Sequence, residues 1–100
     1  MRISEIKVLP VESDPVLKAF VSIKVDDSLM IRDMKVIKGN NGYFIAMPAK
    51  RMKDGTYWDL VHPLDKKTRE MLEESVLKEY ERVIGNSAKE VEVEESKNRA

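Results

Sequence analysis

Leu17-Lys18-Ala19-Phe20-Val21-Ser22-Ile23-Lys24-Val25 decides the fold. Leu17, Ala19, Val21, Ile23 and Val25 alternate with Lys18, Phe20, Ser22 and Lys24. Successive side chains of a strand point to opposite faces, so this spacing lays one nearly all-apolar row on a single face. On the N-terminal side, residues 3–9 form a short β-tolerant run closed by Pro10, and Ser13-Asp14-Pro15 supplies turn chemistry before the strand begins. On the other side, Asp26-Asp27-Ser28 breaks the strand and residues 29–38 resume one. Gly39-Asn40-Asn41-Gly42 then predicts a hairpin, because Asn and Gly accept the positive φ of tight turns. Residues 43–47 make a fourth strand halted by Pro48. A basic loop over residues 48–55, ending in Asp54-Gly55, leads to a fifth strand, residues 56–61, stopped by His62-Pro63.

After Pro63 the period changes. Asp65 is an N-cap, and Leu72, Val76, Leu77, Tyr80, Val83 and Ile84 recur at helical spacing. Gly85-Asn86 offers a stop, so residues 65–84 read as one amphipathic helix. The chain beyond is polar and largely acidic; residues 86–100 are expected to be a mobile tail, although Val91 and Val93 alternate with glutamates as in an edge strand. The expectation is an α+β fold: one domain over residues 1–85, with an antiparallel sheet of about five strands followed by a C-terminal helix.

This architecture has a packing problem. Five strands at about 4.8 Å spacing make a sheet roughly 24 Å wide, whereas one helix covers about 10–12 Å. Apolar residues also fall on both parities of the later strands, among them Leu29, Met30, Ile31, Met34, Phe44, Ile45, Tyr57 and Trp58. A homodimer that pairs sheet faces or edges is the expected solution.

The chain has 100 residues, 42% of them apolar and 36% charged, with no cysteine. That length supports one core, and the absence of thiols excludes disulfides and thiolate metal sites. No apolar run approaches the ~20 residues of a membrane span, and Met1-Arg2-Ile3-Ser4-Glu5 is no signal segment, so a cytoplasmic protein without membrane attachment is expected. Catalytic groups are scarce. The single histidine, His62, abuts Pro63 and has no visible partner, and Asp26-Asp27 is explained by the turn it breaks the strand with. Gly39 to Gly42 matches the bare GxxG pattern of a KH loop, but that loop joins helices and this one joins strand-like runs. No phosphate-loop or dinucleotide pattern occurs. No enzyme, cofactor, metal or small-molecule substrate is expected.

Charge is more informative. The 18 basic and 18 acidic residues cancel, but a sum hides position. Residues 28–53 carry six cations, Arg32, Lys35, Lys38, Lys50, Arg51 and Lys53, against Asp33 alone. Lys66, Lys67 and Arg69 crowd the first turn of the helix, where the dipole favours anions rather than cations. That arrangement costs stability unless the exposed amides and the cations serve a phosphate.

The stretch Ile31-Arg32-Asp33-Met34-Lys35-Val36-Ile37-Lys38-Gly39-Asn40-Asn41-Gly42-Tyr43-Phe44-Ile45-Ala46-Met47-Pro48-Ala49-Lys50-Arg51 resembles the bacterial SpoVG family, the stage V sporulation protein G or septation regulators. The resemblance continues through Asp54-Gly55, His62-Pro63, Thr68-Arg69 and Glu79-Tyr80-Glu81-Arg82, and covers about residues 1–84. It implies a small dimer with an antiparallel sheet and C-terminal helix, and a non-enzymatic regulator of septation, sporulation or gene expression that binds DNA and also RNA. Ala49 stands where the family usually has Ser, which removes a hydroxyl. Met52-Lys53 stand where Thr-Pro is common, which adds a charge.

Residues and resemblance together predict a regulatory homodimer that binds DNA and RNA. Lys50, Arg51 and Lys53 of the loop and Lys66, Lys67 and Arg69 of the helix start would contact phosphate. Asn40, Asn41 and Arg51 are candidates for base readout by side-chain type alone. The competing expectation is a protein-interaction module of cell division.

Overall fold

The computed structural model describes residues 1–85; the tail and its Val91 and Val93 lie outside the described residues. Strands β1 (Ile3–Pro10), β2 (Leu17–Val25), β3 (Leu29–Gly39) and β4 (Gly42–Ala46) form an antiparallel sheet in the order β1-β2-β3-β4. Helix α1 (Lys66–Ile84) packs on one face, and the other face is open. The apolar row read from β2 is the centre of the core: Ala19, Val21, Ile23 and Val25 are buried with Val8, Met34, Val36 and Ile45 against Leu72, Val76, Leu77 and Tyr80. Tyr43 reaches over the core to Tyr80, with ring centroids 5.9 Å apart. No described helix is long and apolar enough to cross a membrane.

The expected five-stranded sheet is instead a sheet of four plus a separate ribbon, β5 (Ala49–Arg51) with β6 (Tyr57–Asp59). The segment expected as a basic loop is therefore partly a strand, and the expected fifth strand pairs with it rather than with the main sheet. Only Met47 and Pro48 separate β4 from β5, too few to turn a strand back alongside its neighbour, so the chain bends away. The Leu60 amide donates to the Pro48 carbonyl at 2.7 Å and closes the root of the ribbon; the Met52 amide donates to the Thr56 carbonyl at 2.7 Å and closes its tip.

The mixed parity of β3 has a local cause. Ile31 pairs with Ile23 and Met34 with Val21, so Arg32 and Asp33 together stand opposite Ser22. Asp33 takes φ 64°, and this β-bulge moves the inward set from odd to even numbers. Ile31, Met34 and Val36 thus share one face, and part of the apparent two-sided hydrophobicity disappears. The rest is real: Leu9 and Phe20, paired across β1 and β2 on the open face, are exposed.

Turn chemistry also differs from expectation. Gly39 and Gly42 are paired across the β3–β4 turn, but Asn40 and Asn41 do not take positive φ; Gly42 does, at 132°. The residues in left-handed conformation are Asp26 and Asp27, at φ 51° and 55°. They give the β2–β3 hairpin the two consecutive positive φ values of a primed turn. Their carboxylates anchor the N-terminal strand: the Arg2 amide donates to Asp26 Oδ1 and the Arg2 guanidinium to Asp27 Oδ2, each at 2.8 Å.

Helix α1 starts where Asp65 caps it, its Oδ1 accepting from the Thr68 amide at 2.7 Å, and ends at Gly85, whose amide donates to the Arg82 carbonyl. The Thr68 hydrogen bonds, helped by the nearby Lys67 charge, hold the Asp65 carboxyl below its ordinary pKa. A lowered folded pKa means that the cap stabilises above the ordinary carboxylate range, and that this contribution is lost as pH falls through the folded value. Asp65→Ala should therefore lower the melting temperature at neutral pH by a few degrees, and the deficit should vanish in strong acid. Asp65→Asn, which keeps the acceptor, should recover most of it. Thermal melts followed by circular dichroism across pH check both.

Candidate nucleic-acid interface

Lys50 and Arg51 lie on β5, and Lys53 lies in the turn that follows. Neighbours along a strand face opposite ways, so Lys50 and Arg51 point to the two faces of the ribbon. There they oppose Trp58 and Tyr57 respectively. All four residues are exposed, and Ala49 is the only partly buried member of either strand. Lys50, Arg51, Met52, Lys53 and Asp54 line an open cleft of about 460 Å³. Asp54, the one anion there, is occupied: the Thr56 hydroxyl donates to it at 2.6 Å and the Thr56 amide at 3.0 Å, and these bonds keep its pKa low.

Lys66, Lys67 and Arg69 are exposed on the first turn of α1, which contains no acidic residue. Arg69 borders a small cavity with Ile45, Met47, Pro63, Leu72 and Glu73. Met47 is one residue from Pro48, so the helix start lies beside the root of the ribbon. Among the described residues none of the six expected cations closes an ion pair. The ion pairs formed are Arg2 with Asp27, Lys24 with Glu5, Lys35 with Asp33 and Arg82 with Glu79. The structure gathers Lys50, Arg51 and Lys53 into one cleft and puts Lys66, Lys67 and Arg69 on the neighbouring helix turn; it does not merge the two groups. Asn40 and Asn41 sit at the turn end of β4, and the ribbon that carries Arg51 leaves from the other end.

A further basic group was not singled out from sequence. Lys7, Lys24 and Arg32 line a cleft of about 170 Å³ on the open face with Glu5, Ser22 and Met30. The signal was present in the polar row of β2, since Ser22 faces Lys7, and Lys24 faces both Glu5 and Met30. Only the register, which bulges shift, brings these residues together. His62 is exposed and its Nδ1 lies 3.1 Å from the Pro63 carbonyl. Among the described residues no group of histidine, aspartate and glutamate is placed to hold a metal.

Fold and surface define a small α+β protein: a four-stranded meander covered on one face by a single helix, with a projecting basic and aromatic ribbon. The chain belongs to the SpoVG family, whose model matches residues 1–82. It is 52% identical over 88 residues to "Putative septation protein SpoVG" of Anaeromyxobacter sp. strain Fw109-5, covering 88% of this chain and 90% of the relative. The protein of the same name from Myxococcus xanthus is 55% identical over 82 residues, 82% of either chain. SpoVG 2 of Listeria monocytogenes is 42% identical over 98 residues, 98% of this chain and 96% of the relative.

Proposed function

We propose that this protein is a non-enzymatic regulator of the septation and sporulation type that binds DNA and RNA as a cytoplasmic homodimer. The observation that carries the reading is the cluster of unpaired cations, Lys50, Arg51 and Lys53, on a ribbon exposed on both faces, beside a helix start bearing Lys66, Lys67 and Arg69. Cations held apart from carboxylates are free to displace counterions from phosphate. The dimer is supported by the unpaired outer edges of β1 and β4 and by exposed Leu9 and Phe20 on the open face. Pairing there leaves the ribbons of both copies accessible and doubles the cationic surface.

A gel-shift titration against duplex DNA and single-stranded RNA from about 50 to 200 mM salt tests it. Each neutralised phosphate contributes roughly −0.9 to the slope of log K against log salt for duplex. Three to six contacts per copy then give slopes of about −3 to −5. A flat salt response, or no binding to either polymer, overturns the reading. The open apolar face favours one second reading, a protein-interaction module of cell division, which would retain its partner at high salt.

A further inference from the structure

The ribbon carries more than charge. Trp58 is 65% exposed and Tyr57 69%, on a two-stranded element that would be marginal in water on its own. Large aromatic rings left in solvent are costly unless something covers them. What surrounds them indicates what that is: Lys50 stands directly opposite Trp58, and Arg51 directly opposite Tyr57. Opposed residues in an antiparallel pair have Cβ atoms about 4.5–5.5 Å apart and share a face. Each face of the ribbon thus presents one π-surface beside one cation, with Lys53 at the tip. A flat apolar platform next to a phosphate-binding cation matches an unpaired nucleotide, whose base has a π-face and whose backbone is anionic.

We propose that the β5–β6 ribbon prefers single-stranded nucleic acid, with Trp58 stacking on an unpaired base while Lys50 contacts the adjoining phosphate. This rests on the nucleic-acid reading above and adds to it a distinction between strand states. Bases in a duplex are already stacked on one another, so Trp58 gains a partner only where the strand is single, whereas Lys50, Arg51 and Lys53 attract phosphate in either form. Tyr57 and Arg51 offer a second, equivalent step on the opposite face.

Trp58 is the only tryptophan of the chain, so intrinsic emission reports this ring alone. The full chain is titrated with oligo-dT, with oligo-U, with a duplex and with inorganic polyphosphate, which has charge but no bases; binding is followed separately by competition against a labelled oligonucleotide. Oligo-dT and oligo-U are expected to quench the emission, and polyphosphate to compete without quenching. Trp58→Ala should weaken single-strand binding about 10-fold, within the range for one lost stack. It should change duplex binding less than 2-fold, and Trp58→Phe should restore most of the loss. Equal quenching by polyphosphate, or equal loss on duplex and single strand, overturns stacking while leaving the nucleic-acid reading intact. Absence of binding to every polyanion overturns both. Emission already blue-shifted and shielded from acrylamide in the free protein means that a second copy covers the ring, which also overturns stacking.

Discussion

Leu77→Ala is expected to lower the free energy of unfolding by about 3 kcal/mol, within the roughly 2–5 kcal/mol range for deleting a buried leucine side chain. Leu77 is fully buried in the middle of α1, within the cluster that joins the helix to Val21, Ile23, Met34 and Val36 of the sheet. The helix is the only cover for that face, so no other element can move in to fill the void. Against a typical domain stability of about 5–15 kcal/mol the loss is large. Val83→Ala on the same helix, at a residue 37% exposed, should cost well under half as much. Urea denaturation at one fixed protein concentration checks the pair, because a dimer's midpoint also depends on concentration. Similar shifts for both variants would mean that the core does not lie where Leu77 points.

The contrast between Leu77 and the ribbon shows what was legible in the residues. Strand β2 could be read directly, because its period of two runs unbroken over nine residues and one face is buried along its whole length. The helix was legible for the same reason at a different period, with Asp65 and Gly85 marking its ends within a residue. Strand β3 was legible as an element but not in its facing. The bulge at Arg32 and Asp33 inserts one residue into the count, and nothing in the composition of that stretch announces it. Strand β5 has three residues, two of them cations, and its pairing with β6 depends on tertiary geometry around Pro48 that no periodicity encodes. The candidate site follows the same division. Its cations were evident as a local excess, whereas the pairing of Lys50 with Trp58 and Arg51 with Tyr57, and the grouping of Lys7, Lys24 and Arg32, exist only once register is set.

That register makes charge reversal on the ribbon the most demanding test of the proposed function. Lys50→Glu with Arg51→Glu replaces the cation on each face of β5 by an anion, and both positions are exposed, so folding should be little affected. Each lost phosphate contact removes about 0.9 from the salt slope and, at about 0.1 M salt, roughly 8-fold in affinity. Two lost contacts per copy should therefore weaken binding about 60-fold on duplex DNA and single-stranded RNA alike, and flatten the slope by about 1.8. The necessary comparison is a variant with the same change in net charge placed elsewhere. Lys38→Glu with Lys78→Glu serves, since Lys38 is exposed at the turn end of the sheet and Lys78 is exposed on the helix. From a formal net charge of zero both double variants reach −4, so any general repulsion of polyanions is common to them. If the position of charge governs binding, the ribbon variant loses about 60-fold and the comparison variant only a few-fold. If the two lose equally, binding answers to the overall field, and the ribbon is not the interface.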